Sequence, residues 1–296
     1  MNIVNRASQG EEPVRALVLP GGGARAAYQS GVVKAIAELL PADASNPFPV
    51  ITGTSAGAIN AAMLAAHARG FRHGAERLAE IWTGLTVEQV YRADLWTMLR
   101  TSVLWALTLI GGGRGRHIPR SLLDNDPLRT LLASNIDFSD IGRAIDAGAL
   151  RALALTASGY SSARSVAFFQ GSKTLKPWHR SRREGRGEAI TLEHVMASIG
   201  LPIIFPAVRL GSEYYGDGSM RQGAPLSPAI HLGASKLLIV AVRNEQQAEW
   251  TPMPPQYPTF GEVAGYVLDT LFMDSLYTDL ERLDRINRTY SHVPDD

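Results

Sequence analysis

The chain has 296 residues, 45% of them apolar and 19% charged, a composition that supports a sizeable core and excludes an intrinsically disordered chain. Its 29 Lys and Arg balance 28 Asp and Glu, which leaves no bulk electrostatic case for nucleic acid as a partner; the lack of cysteine excludes disulfides, thiol nucleophiles and thiolate metal sites. Residues 1–14 carry no apolar h-region of a secretory signal and are expected to form a flexible N-terminus on a cytoplasmic protein.

In chain order, the apolar run from Ala16 to Leu19 stops at Pro20 and three glycines, then gives way to "ARAAYQSGVVKAIAELL". There Tyr28, Val32, Ala35, Ile36 and Leu39 recur at helical spacing, so the stretch reads as strand, turn, helix. After a loop rich in Pro, Asn and Ser, "VITGTSAGAINAAMLAAHARG" repeats the pattern with a Gly-bounded turn and an alanine-rich helix. Two such units in succession predict an α/β fold, a mostly parallel sheet covered by helices. Residues 71–138 read as a helical excursion that ends in a short helix starting near Asp126 and Pro127. "RALALTAS" and "SVAFFQ" read as neighbouring strands, and "PWHRSRREGRGEA" as a polar basic loop. "TLEHVMASIGLPIIFPAV" begins as a helix ending before Pro202 and continues extended. A turn, a short helix and an apolar strand over 237–242 follow, and residues 260–290 read as one long helix. One domain is expected over 15–245, with 246–296 as a helical segment packed on it.

Two stretches carry chemistry. "GTSAG" sets Ser55 between Gly53 and Gly57 where an apolar strand meets a helix, so the small neighbours let the backbone turn sharply and present the hydroxyl at a helix N-terminus. In "LVLPGGGARAAYQSG", Gly21, Gly23 and Ala26 satisfy a dinucleotide-binding spacing, but the second strand ends in Gly53, Thr54 and Ser55 and not in the acid that would bind a ribose. The Gly-Lys-Ser/Thr ending of a phosphate loop is also missing. Two readings stay open: a tight turn with no ligand, or an oxyanion hole, with consecutive glycine N–H groups at a helix N-terminus and Arg25 to support the charge. In a parallel sheet the loops after adjacent strands open on one edge, so the two stretches face one another. For the base, Asp217 in "YYGDGSM" stands in a glycine-flanked turn; His231 and His292 follow it, so a Ser, Asp, His order is also open.

These motifs resemble the patatin-like phospholipases. "GGGARAAYQSGVVKAI" looks like the family's oxyanion segment, "GTSAGAINAAML" its nucleophile elbow, "ASIGLPIIFPAV" the segment ahead of its acid, and "YYGDGSMRQGAPLSPAIHLGAS" its Asp-Gly motif. The resemblance implies a three-layer α/β/α fold and a Ser-Asp dyad without histidine. It makes Ser55 the nucleophile and Asp217 the base, followed by Gly218, with Gly21, Gly22 and Gly23 as oxyanion donors beside Arg25. It implies hydrolysis of phospholipid or other acyl esters through an acyl-enzyme, with no metal and no organic cofactor. An acyltransferase or thioesterase using the same dyad, and a non-catalytic lipid-binding scaffold, are the alternatives. Ala26 and Ser219 stand where the family often has glycine, or glycine or alanine. If Ala26 required a positive φ, the donors would be misplaced.

A lipid hydrolase must meet an interface. Over 95–120, Leu95, Leu99, Val103, Ala106, Leu107 and Ile110 form one helical face, Trp96 and Trp105 suit the headgroup level, and Arg114, Arg116, His117 and Arg120 follow. Peripheral membrane contact through this segment is one expectation and a helix packed on the core the other. Arg180, Arg182, Arg183 and Arg186 form a second basic cluster.

Overall fold

A computed structural model describes residues 13–92, 121–242 and 257–290. The proposed interfacial segment 95–120, with its arginines and His117, lies outside these residues, as do most of the N-terminal tail and His292. The first two units follow the sequence closely: β1 (Arg15–Leu19), a 3-10 turn (Gly23–Ala26), α1 (Ala27–Leu39), β2 (Val50–Thr54) and α2 (Ala56–Ala66). The excursion supplies α3 (Phe71–Gly84), α4 (Val87–Val90), α5 (Asp126–Asn135) and α6 (Ser139–Asp146). Next come β3 (Ala152–Gly159), β4 (Ser165–Gly171), β5 (Trp178–Arg180), β6 (Arg183–Gly187), α7 (Leu192–Ser198), β7 (Val208–Leu210) and β8 (Glu213–Asp217). The chain closes with α8 (Ser227–His231), β9 (Lys236–Ile239) and α9 (Phe260–Tyr290).

The described strands form one sheet in the order β5-β6-β4-β3-β2-β1-β9, with β8 paired to β3 and β7 to β8 off this path. Its central run β9, β1, β2 and β3 is parallel, as sheets covered on both faces usually are. Successive residues of one strand feed opposite layers. Leu17, Leu19, Ile51, Leu153 and Leu155 pack under α1, α2, α3 and α5 to α7. Ala16, Val18, Val50, Ala152 and Ala154 pack under α8 and α9. The result is a three-layer α/β/α fold. Among the described residues, no helix is long and apolar enough to cross a membrane.

Three local expectations are corrected. The basic "PWHRSRREGRGEA" is a hairpin, not a loop: β5 pairs antiparallel with β6, and β6 runs parallel to β4. Its stability is hidden from hydrophobic periodicity because it comes from pairing. Trp178 stacks on Phe169 at 5.2 Å between ring centroids, and the buried Glu184 is held by Arg164 at 3.0 Å and by Arg186. Arg186 also donates to Tyr215 Oη at 2.7 Å, so this member of the basic cluster is committed inward. The second correction concerns α1, where Tyr28 and Leu39 of the helical-spacing pattern are exposed and the buried face is Gln29, Ser30, Val33 and Ala37. The third is β8, read as a turn, which is a strand antiparallel to β3.

On the second face, α9 docks through Leu276 and Leu283 against Leu226, Ala229 and Leu232, and Asp279 Oδ2 accepts the Leu226 N–H at 3.0 Å. Because Leu276 is 2% exposed, Leu276→Ala is expected to cost about 2–4 kcal/mol. The check is urea unfolding: a lower midpoint with an unchanged m-value is the expected result, since α9 would then unfold with the sheet.

Candidate active site

The site begins with register. Along one edge of β3, Thr54 at the end of β2 stands opposite Thr156, and the next β3 residue, Ala157, stands opposite Asp217 at the end of β8. Strands β2 and β8 therefore arrive from opposite directions and meet end to end. Their meeting joins residues 162 positions apart: Ser55 Oγ donates a hydrogen bond to Asp217 Oδ2 at 2.6 Å.

Ser55 is the single residue between β2 and α2, with φ 53° and ψ −133°, a conformation that costs a non-glycine residue on the order of 1–3 kcal/mol. The flanking glycines permit it. A Cβ on Gly57 would lie 2.0 Å from the Leu19 carbonyl oxygen, and one on Gly53 would lie 2.5 Å from the carbonyl oxygen of Gly57. The strained backbone is also clamped, because the Ser55 N–H donates to Ser198 Oγ at 3.0 Å and that hydroxyl donates to the Thr156 carbonyl at 2.6 Å. Ser198 is fully buried in α7, a positioning residue that no local motif marks out.

Asp217 is fully buried. Besides the Ser55 hydroxyl it accepts the Ser219 N–H on Oδ1 at 2.8 Å, while its own N–H donates to the Gly200 carbonyl at 2.8 Å. Burial pushes its carboxyl up to about 6, and the hydrogen bonds from Ser55 and Ser219 oppose the shift without cancelling it. Gly218 lies against β3 so closely that a Cβ would meet the Thr156 carbonyl oxygen at 2.1 Å.

The glycine segment and Ser55 line the same cleft, of about 400 Å³. Gly23 and Ala24 line it together with Ser55, whereas Gly21 and Gly22 are buried behind. The positive φ sits at Gly23, at 57°; Ala26 is helical at φ −63°, so the alanine imposes no strain on the loop. Arg25 is exposed at the end of the 3-10 turn. The remaining walls are almost wholly apolar, among them Ile59, Trp82, Leu85, Leu128, Leu201 and Phe205.

Among the described residues, no histidine hydrogen-bonds to Ser55 or Asp217. His231 instead stacks on Trp178 at 4.7 Å, and its Nδ1 lies 2.8 Å from the Ser227 carbonyl oxygen. His194 Nδ1 closes the N-terminal turn of α7 on Thr191. No group of three or more His, Asp or Glu is disposed to hold a metal ion among the described residues.

A family model for patatin-like phospholipase matches residues 17–230. The chain belongs to the patatin-like phospholipase family. Among solved structures, the crystal structure of VipD from Legionella pneumophila aligns at a TM-score of 0.39 and 14% identity, over 70% of this chain and 46% of that one. The chain thus spans less than half the length of that protein. No curated protein matches it in sequence.

The burial of Asp217 has a thermodynamic signature. Its folded-state value of about 6 lies above its ordinary 3.8, so its contribution favours folding at low pH and is lost as pH rises through 6. At roughly 1.4 kcal/mol per pKa unit, the ionised form costs about 3 kcal/mol at pH 8. An amide keeps the Ser219 N–H on its oxygen and turns its NH2 to Ser55 Oγ, which then accepts, and it carries no charge, so Asp217→Asn is expected to be more stable than the parent at pH 8 and close to it at pH 4. Urea midpoints of both proteins at the two pH values provide the check.

Proposed function

We propose that the protein hydrolyses acyl esters of phospholipids or related lipids, with Ser55 as nucleophile and Asp217 as general base. The observation that carries this reading is the 2.6 Å hydrogen bond from Ser55 Oγ to the buried Asp217, with Ser55 lining an apolar cleft that Gly23 of the glycine segment also lines. As Oγ attacks the ester carbonyl, its proton moves to Asp217 Oδ2, and charge develops on the carbonyl oxygen. Of the donors Gly21, Gly22 and Gly23, it is Gly23 that lines the cleft with Ser55, so its N–H, supported by Arg25, stabilises that charge at the edge of a largely apolar site, where donors are worth most, while the buried Gly21 and Gly22 hold the loop behind it. Collapse of the tetrahedral intermediate breaks the ester bond, and the leaving alcohol takes the proton from Asp217. Water then attacks the acyl-Ser55 ester, again giving its proton to Asp217, and the fatty acid leaves as Ser55 recovers the proton.

A base held at about 6 suits this exchange. Near neutral pH it is mostly ionised and ready to accept, yet it is a stronger base than an exposed carboxylate. The cleft takes the acyl chain, which buries methylene groups at about 0.8 kcal/mol each.

Three measurements test the reading. A fluorophosphonate probe should add to Ser55 and to no other serine, as located by peptide mass spectrometry; a protein without that adduct is not a serine hydrolase. Ser55→Ala and Asp217→Asn should each lower ester turnover by more than about 1,000-fold while the protein stays folded. In the parent, kcat/KM should fall tenfold per pH unit below about 6, since protonated Asp217 cannot accept the Ser55 proton. A profile flat down to pH 4.5 would remove Asp217 from the role of base.

A further inference from the structure

The glycine segment is held by something other than its own turn. Gln29, in the first turn of α1, and Asn60, in α2, are polar and fully buried, and both hydrogen-bond to the ends of this loop. Gln29 Nε2 donates to the Pro20 carbonyl at 2.8 Å, just before the three glycines, and to the Val240 carbonyl beyond β9 at 3.1 Å. Asn60 Nδ2 donates to the Ala26 carbonyl at 3.1 Å, where the 3-10 turn ends, and to Gln29 Oε1 at 2.9 Å. Trp82 Nε1, from α3, completes the chain by donating to Asn60 Oδ1 at 2.6 Å.

The direction of this network is forced. An indole N–H only donates and a backbone carbonyl only accepts, so Asn60 must turn its oxygen to Trp82 and its amide to Gln29 and Ala26. Gln29 must then turn its oxygen to Asn60 and both its N–H groups to Pro20 and Val240. Neither amide flips without breaking several bonds in a water-poor interior, where each orphaned group costs about 1–3 kcal/mol. Both ends of residues 20–26 are thereby tied to one rigid point between α1 and α2, and α2 also carries Ser55 at its N-terminus. Gly22 is pressed from the other side by Val242, whose Cγ2 leaves no room for a Cβ.

We propose that the relay Trp82–Asn60–Gln29 is the positioning device that sets the glycine N–H groups at their working distance from Ser55. The inference deepens the functional reading above and rests on it: the glycine segment must be an oxyanion hole for its placement to matter. Trp82 ties the acyl cleft to the relay, because its ring walls that cleft while its N–H starts the hydrogen-bond chain. Gln29, Asn60 and Trp82 are positioning residues; none is called on to touch the reacting atoms.

The test separates positioning from general stability. Gln29→Met keeps side-chain length and apolar bulk but removes both donors and the acceptor. In the folded variant, kcat for p-nitrophenyl esters should fall about 30- to 100-fold with KM within twofold, comparable with loss of an oxyanion donor. The rate of Ser55 modification by a fluorophosphonate, which develops charge at the same place, should fall in parallel. Ile141→Ala, a core truncation under α6 away from the loop, serves as a destabilised control and should keep the parent kcat well below its melting temperature. Trp82→Phe is the milder variant if Gln29→Met does not fold: it removes the indole donor, and kcat for a short-chain ester should fall about 3- to 10-fold, whatever the smaller ring does to KM for long acyl chains. An unchanged kcat in folded Gln29→Met, or a Trp82→Phe enzyme altered in KM and chain preference alone, would overturn the relay. If the unmutated protein gives no Ser55 adduct, the hydrolase reading fails and takes the relay with it, an outcome distinct from an adduct-forming parent whose variants are unaffected.

Discussion

Everything in the site depends on two strands ending against each other along one edge of β3. Consecutive β3 residues, Thr156 and Ala157, pair with the last residue of β2 and the last residue of β8, so the register fixes where both chains stop. A slip of one residue would turn each side chain to the opposite face of the sheet and separate the pair. The 2.6 Å contact between Ser55 and Asp217 is thus a consequence of backbone pairing, with the side chains contributing only their reach.

The interior around that junction is polar to an unusual degree for a buried layer, and each polar group is matched. Ser198 spans the gap between the Ser55 N–H and the Thr156 carbonyl; Ser219 and Ser55 satisfy the two oxygens of Asp217; Gln29 and Asn60 satisfy Pro20, Ala26 and Val240. Matched in this way, the groups are directional and resist rearrangement, whereas an apolar filling would leave the glycine loop free to relax. Two unfavourable features are held in place by this matching: the backbone of Ser55 and the desolvated carboxyl of Asp217. Both are features that the proposed nucleophile and base would require, so under that proposal stability and reactivity are set against each other in the same few residues.

Where reading from the residues succeeded, the physics was short-ranged. Gly53 and Gly57 are needed because their missing side chains would collide with backbone a few residues away or on the adjacent strand, and that need is visible as G-x-S-x-G. The strands β1 to β4 were legible as apolar runs. The hairpin of β5 and β6 was not, since its stability comes from Arg-Glu pairing and an aromatic stack that leave no period in the hydropathy. In α1, Gln29 was passed over for the same reason: a glutamine reads as a surface residue until its partners are known. Ser198 and Asn60 stand within the segments that carry the family resemblance, yet nothing local distinguishes a clamp from a helix surface.

The sequence by itself determined the chemistry on offer: a serine in a sharp turn, an acid between glycines, a run of unobstructed N–H groups, and a family of hydrolases that shares them. Those features are local, set by sterics over five or six residues. Only the tertiary structure decided that the serine meets Asp217 and no described histidine, that the acid is buried enough to be raised to about 6, and that Ala26 bears no strain. Each of these depends on contacts made across the sheet, up to 211 positions apart in the case of Gln29 and Val240, and such contacts exist only once strand register has been established.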